Sequence, residues 1–370
     1  MKSGFKIMDS DMHLREPADL WEKYMDPEWR DQAPKILSST TRSSAMVMIE
    51  GKILQGYKPS YRDGIFDATR IDEEIAEYRA QGFGAKTQLK AMDQEGLDVA
   101  ALYPSIGLGI MMRSEMNPKL STAIARAYNN WLHDFCQADP KRLKGVGMLP
   151  LHDPNEAVKE AQRVVGKLGF VGVFARPEPL RDLPWHSRYF DTVWSALEDL
   201  SVPIGFHSAT AAGEVAQIGD RFGDNLLLRH VVSHPLENMI AMVDTIGGGV
   251  CERHPKLKLA FLECYCGWVS FLLHRMDNSM EKGRFPTAGK LKPSEYFQRQ
   301  CWISTEHEKE LPMIIDLVGD DKIVFSTDYP HGDSDFPHAV EEFLEMDGVS
   351  DDSRKKILWD NCTRLYGLAA

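Results

Sequence analysis

The chain has 370 residues, with 43 Lys and Arg against 55 Asp and Glu for a formal charge of −12. That length suits one large α/β barrel or two ordinary domains, and the acidic balance argues against a nucleic-acid partner, because phosphate contacts need clustered Lys and Arg. No run approaches the roughly 18 apolar residues of a membrane span, and no basic segment followed by an apolar one opens the chain, so no membrane partner is expected.

In chain order, short runs rich in Val, Ile, Leu and Phe recur: "FKIMDS" (5–10), "VAALYPS" (99–105), "LKGVGMLPL" (143–151) and "FVGVFAR" (170–176). They continue as "VPIGFHS" (202–208), "LKLAFLEC" (257–264), "CWIST" (301–305) and "KIVFSTDY" (322–329). The runs are nearly unbroken rather than alternating, as in strands buried on both faces of a parallel sheet. Helical patterns lie between them. "PNEAVKEAQRVVGKLG" starts at Pro154 and ends at Gly169, "SRYFDTVWSALEDL" has Ser187 as its N-cap, and "KELPMIIDLVGD" and "SDDSRKKILWDNCTRLYGL" follow. Eight strands alternating with helices predict a (β/α)8 TIM barrel spanning 1–370 as one domain.

Residues 18–95 break the alternation. "DLWEKYMDPEWRDQAPKIL" is aromatic and Pro-punctuated, and "TRSSAMVMIEGKILQGYKPSY" reads as a hairpin. Because this insertion follows the first strand, it is expected at the C-terminal mouth of the barrel as a cap or lid, or at an oligomer interface. The six cysteines lack a framework spacing, and Cys264-x-Cys266 is too few thiolates for a site. Free thiols in a reducing cytoplasm are expected.

The polar residues carry the functional information. Asp11 and His13 follow the first strand, two apart, so on extended backbone they share a side. His207 ends the fifth strand, Glu263 the sixth and Asp328 the eighth. In a barrel these converge at the C-terminal mouth, where carboxylates and imidazoles from separate strands can hold Zn²⁺ or a similar ion with a position left open. A carboxylate closing an apolar strand, as Glu263 does, must be paired or bound. Arg176, ending the fourth strand, is the candidate clamp for a substrate carboxylate. His331, Tyr103 and Trp268 are further substrate-facing candidates, with His186 and Tyr265 as possible lining. Glu16 is placed either as a partner of a ligand histidine or as an ordinary acid before Pro17.

"DSDMHLREP", "VPIGFHS", "LAFLECYCGWV" and "IVFSTDYPHGD" together, in this order, resemble the amidohydrolase-related TIM-barrel family typified by aminocarboxymuconate-semialdehyde decarboxylase. The resemblance spans nearly the whole chain. It implies one divalent metal, Zn²⁺ first and Mn²⁺ second, held by Asp11, His13, His207 and Asp328, and homodimers or higher homo-oligomers. It also implies hydrolysis or non-oxidative decarboxylation of a small, aromatic-derived carboxylic acid. Two positions depart from the family pattern. Asp11 stands where many members have a histidine, and Glu263 stands where the decarboxylases carry an acid/base histidine in a His-Gly-Gly-Gly stretch. Glu263 can also move protons if burial raises its pKa, or it can ligate the metal. Asp328, Glu263 and His207 are therefore the expected catalytic residues. The alternative is a metal-binding barrel without catalysis, serving as a scaffold.

Overall fold

The computed structural model describes residues 1–38, 46–54, 78, 80–111, 113–209, 216–223, 225–283, 288–332 and 334–368. Its strands are β1 (Met8–Leu14), β2 (Lys35–Ser38), β3 (Met46–Ile49), β4 (Lys52–Leu54), β5 (Val99–Pro104), β6 (Leu143–Met148), β7 (Gly172–Ala175), β8 (Pro203–His207), β9 (Lys258–Leu262), β10 (Cys301–Thr305) and β11 (Ile323–Phe325). Eight of them form one parallel sheet in the order β1-β5-β6-β7-β8-β9-β10-β11. Every one coincides with an apolar run expected to be a strand, and helices cover the outside, so the architecture is the (β/α)8 barrel.

Between β11 and β1 the barrel is closed largely by side chains. Ser10 Oγ donates to Phe325 O (2.6 Å) and the His13 amide to Tyr329 O (2.7 Å). The wholly buried Asp9 carboxylate accepts from Thr327 Oγ1 (2.5 Å), the Thr327 amide (3.3 Å) and the Asp11 amide (2.9 Å). Burial raises the Asp9 pKa to about 7 against the pull of these donors. The Asp11 amide bond sits where the register of β1 against β5 shifts, between Asp9 and Met12. β1 therefore starts three residues later than its apolar run and continues to Leu14, which puts Asp11 and His13 inside the strand rather than after it.

The helices follow their capping signals. Asp153 caps Pro154–Gly166 by accepting from the Asn155 and Glu156 amides (2.9 and 3.4 Å). Its inward stripe of Ala157, Glu160, Ala161 and Val164 recurs every three to four residues. Ser187 starts a short 3-10 turn (Arg188–Phe190) that runs into the helix Asp191–Leu200, and its hydroxyl accepts from the Tyr189 amide. Leu311–Val318 forms as expected, and the closing segment coils through Asp351–Tyr366.

In the insertion, β2, β3 and β4 make a small antiparallel sheet whose β3–β4 hairpin turns at Glu50 and Gly51, both left-handed (φ 49° and 74°). Arg113, in the segment after β5, ties this hairpin down by donating to Ile49 O (2.7 Å) and pairing with Glu50 (3.0 Å). The helix Ala85–Glu95 ends at Gly96, whose φ of 92° suits a glycine C-cap. From that helix Gln88 donates to His13 O (3.1 Å). Residues 39–45, 55–77 and 79 of the expected cap lie outside the described residues.

Candidate metal centre

Four strand ends deliver the central side chains. Asp11 and His13 come from β1, and His207 is the last residue of β8. Glu263 follows β9 directly, and Asp328 lies three residues beyond β11. Glu263, Tyr265 and Asp328 are all left-handed (φ 45°, 55° and 56°), a conformation that costs about 1 kcal/mol or more for a side-chain-bearing residue. The surroundings hold them there. Buried Glu308 accepts from the Cys266 amide (2.8 Å), the Gly267 amide (2.9 Å) and Thr305 Oγ1 (2.9 Å), pinning the loop that carries Glu263.

The five side chains meet. His13 Nε2 and His207 Nε2 are 2.8 Å apart. His13 Nε2 lies 3.4 Å from Asp328 Oδ1 and 3.6 Å from Asp11 Oδ1. His207 Nε2 lies 3.3 Å from Asp11 Oδ2 and 3.0 Å from Glu263 Oε2. One donor atom each from His13, His207, Glu263 and Asp328 falls within 4.8 Å of the others. Asp11 flanks both imidazoles.

Proton placement makes this a cation site. His13 Nδ1 faces Pro104 O (2.8 Å) and His207 Nδ1 faces Ser208 O (2.6 Å). A carbonyl only accepts, so both Nδ1 atoms carry hydrogen, and with both rings neutral the two Nε2 atoms would present lone pairs to each other. Neither oxygen of the buried Asp11 carboxylate accepts a hydrogen bond from a described residue. Opposed lone pairs beside three carboxylates need a positive charge between them. Without an ion, a proton on His207 Nε2 answers that need. Burial depresses the His207 pKa, but Asp11 and Glu263 outweigh it and raise it to about 10. Burial, with His331 and His207 nearby, pushes His13 well below the usual histidine range. Two imidazoles and a ring of carboxylates are the donor set of a divalent metal site, which these residues fit.

The other expected residues fall differently. Arg176 is buried at the end of β7, but its bidentate face is occupied. Nε and Nη2 bind Glu178 (3.0 and 2.6 Å), and Nη2 also donates to Ala209 O (3.0 Å). His331 stands beside the centre, with Nδ1 2.7 Å from Asp328 Oδ1, Nε2 3.0 Å from Ser105 Oγ and its ring 4.1 Å from that of His13. Tyr103 stacks on His207 (5.8 Å) from below, its hydroxyl meeting that of Tyr366 at 3.0 Å. Trp268 is half-buried and donates to Cys264 O (2.8 Å). His186 pairs with Asp244 at the surface, and Tyr265 is exposed. Glu16 bonds no ligand histidine. It accepts from the amides of Ser105, Ile106 and Gly107 (3.2, 3.0 and 2.7 Å) after β5.

The sequence did not flag His234. Its Nδ1 lies 3.1 Å from Glu263 Oε1, and burial pushes its pKa well below the usual range. It comes from the middle of the helix Leu226–Met242, and the one local signal is the adjacent Pro235, out of place in a helix interior.

Comparison with known proteins agrees with the geometry. The chain is 27% identical over 291 residues to the gamma-resorcylate decarboxylase of Polaromonas sp. (strain JS666 / ATCC BAA-500), covering 76% of this chain and 86% of that protein. It is 23% identical over 287 residues to the 2-amino-3-carboxymuconate-6-semialdehyde decarboxylase of Dictyostelium discoideum, covering 76% of each. Among solved structures, an amidohydrolase from Mycobacterium avium subsp. paratuberculosis K-10 superposes with a TM-score of 0.81 at 25% identity, over 98% of this chain and all of that one. The amidohydrolase family model matches residues 9–368, and the chain belongs to that family of enzymes.

Proposed function

We propose that this chain is a divalent-metal-dependent carboxy-lyase that removes CO2 non-oxidatively from a small, aromatic-derived carboxylic acid. The observation that carries this is the cluster of opposed His13 and His207 Nε2 atoms ringed by Asp11, Glu263 and Asp328, in a chain whose matching relatives include decarboxylases. His13, His207, Asp11 and Asp328 would hold the ion. The oxygen-rich set favours a harder ion such as Mn²⁺ over Zn²⁺. When bound, the metal supplies Lewis-acid polarisation of the substrate's oxygens.

The chain's own residues supply the rest. Glu263 bridges His207 and His234 and delivers a proton to the ring carbon that bears the carboxylate. The bond from that carbon to the carboxylate then breaks, its electron pair returns to the ring, and CO2 leaves. His234 relays a proton back to Glu263 for the next turnover. His331, bonded to Asp328 and Ser105, fixes the Asp328 carboxylate from outside. The cap role is assigned to the described parts of the insertion, a reading that the bonds from Gln88 to His13 O and from Arg113 to Ile49 O support.

Six free, buried thiols suit a reducing cytoplasm. The helix Leu226–Met242 exposes Leu227, Leu228, Val231 and Ile240, which supports self-association into homo-oligomers. Among the described residues no helix is long and apolar enough to cross a membrane.

The test is metal analysis of protein purified without chelator, followed by a panel of hydroxybenzoates assayed for CO2 and of esters and lactones assayed for acid. Bound metal with CO2 release supports the proposal. Acid release without CO2 replaces it with hydrolysis. A folded protein that binds no divalent ion overturns both.

A further inference from the structure

A carboxylate that leaves an aryl ring as CO2 is replaced there by hydrogen, so each turnover of a carboxy-lyase consumes one proton. Glu263 holds one at a time and must be reloaded from solvent. Its side chain is largely buried, and its two oxygens face two imidazoles. His207, 3.0 Å from Oε2, offers no way out. It is wholly buried, its Nε2 is turned to the metal centre and its Nδ1 faces Ser208 O. His234, 3.1 Å from Oε1, leads in the other direction, onto the helix Leu226–Met242.

On that helix His230 stands four residues before His234, so the two share a face. Their ring centroids are 4.8 Å apart, with the planes tilted by 59°. That spacing is within reach of proton exchange, directly or across one water. Burial falls along the series. His207 is wholly buried, His234 is buried and His230 is half-buried, so the surface is met one helical turn from His234. Imidazole suits both positions, because it can take a proton on one nitrogen while releasing one from the other.

We propose that protons enter the site along this helix, from solvent to His230, from His230 to His234 and from His234 to Glu263. In one cycle the proton of Glu263 passes to the ring carbon and leaves a carboxylate. His234 gives that carboxylate one proton and takes one from His230, and His230 takes its replacement from water or a buffer acid. The balance is one proton drawn from solvent for each CO2 released. The proposal rests on the carboxy-lyase reading for the use of the proton, whereas the route is a property of the folded chain.

Two measurements test it. In metal-free protein with 15N-labelled histidine rings, NMR reads how fast the ring hydrogen of His234 exchanges with solvent. His230→Gln fills the place of the ring with a group that passes no proton, so exchange should slow by at least about tenfold. Imidazole added to His230→Ala should speed it. In Mn²⁺-loaded protein turning over a hydroxybenzoate, His230→Gln should keep metal content and KM within about twofold of the unmutated protein. It should release a burst of about one CO2 per site and then run at least about tenfold slower, because the first proton is already on Glu263. Exchange that is unchanged in folded His230→Gln, or that imidazole does not move in folded His230→Ala, overturns the route. So does a slow rate without a burst, which a merely structural role would give, or a raised KM with kcat unchanged, which would make His230 a substrate contact. Slowed exchange in a protein that releases no CO2 from any acid of the panel overturns the carboxy-lyase reading and leaves the route assigned. CO2 release with unchanged exchange does the reverse.

Discussion

Stripping divalent metal from this protein should lower its melting temperature, and the drop can be worked from the geometry. Without an ion, the His13 and His207 Nε2 atoms face each other at 2.8 Å and both Asp11 oxygens lack donors among the described residues, so the ligand-free fold carries that cost alone. At free metal 100-fold above Kd, binding to the folded state alone adds about 2.7 kcal/mol. An unfolding entropy of about 2.1 cal/mol/K per residue gives about 0.8 kcal/mol/K for the whole chain, so Tm should rise by about 3 °C on loading. Asp11→Asn keeps the shape and removes one ligand charge. A loss of about 10- to 100-fold in affinity would leave about 0.4–1.4 kcal/mol, or about 0.5–2 °C, at the same free metal. Differential scanning calorimetry of chelator-treated protein, titrated with Mn²⁺ and then Zn²⁺, reads both quantities. If the stripped protein does not shift at saturating metal, or Asp11→Asn shifts as far as the unmutated protein, these residues are not the ligands.

Three further substitutions probe the site and its support. Glu263→Gln should cut the rate of CO2 release by at least about 100-fold while metal content stays near that of the unmutated protein; a rate within twofold would demote Glu263 to a structural role. Gly205→Ala would put a Cβ 2.4 Å from the Tyr103 hydroxyl and 2.9 Å from Leu262 Cδ1 in the layer beneath His207. Overpacking there should cost about 1–3 kcal/mol, read by urea denaturation, and an unchanged midpoint would show that the layer can relax. Burial, with Glu178 nearby, raises the Glu237 pKa to about 7 despite the Ile218 amide it accepts. A carboxyl whose folded pKa is raised favours the protonated fold, so stability falls as pH climbs from the unfolded value near 4.5 through 7. Glu237→Gln cannot ionise, so it should match the unmutated protein at pH 5 and exceed it by about 1–2 kcal/mol at pH 8, after discounting for partial solvation. An equal difference at both pH values would place the effect elsewhere.

The strands were legible because a strand covered on both faces needs a continuous apolar run, and a barrel supplies eight. The convergence of Asp11, His13, His207, Glu263 and Asp328 was legible because an acid or imidazole has little reason to close such a run unless something pairs with it. What escaped depended on partners distant in sequence. The start of β1 is set by Asp9 and Thr327, 318 residues apart, which move the strand off its own apolar run. Glu16 has the composition of a histidine's partner, but three amides after β5 claim it. The pairing of Arg176 was closer at hand. In "ARPEP" the glutamate stands two residues on, so on extended backbone it shares a side with the arginine and can close the clamp internally.

Glu263 is the clearest departure from the pattern the resemblance implies, and a second imidazole stands beside it. In the pattern the resemblance implies, an acid/base histidine stands at this place, and here a carboxylate follows β9 instead. Here His234 reaches the far oxygen of that carboxylate from the helix Leu226–Met242. An imidazole is thus returned to the site from a different element, one position removed. If Glu263 and His234 work as one proton path, removing either should cost nearly the full loss, and the double variant Glu263→Gln with His234→Asn should cost little more than either alone. Independent roles would instead multiply. A product of the two single losses would separate the residues, and His234 would then be only a hydrogen-bond partner of Glu263.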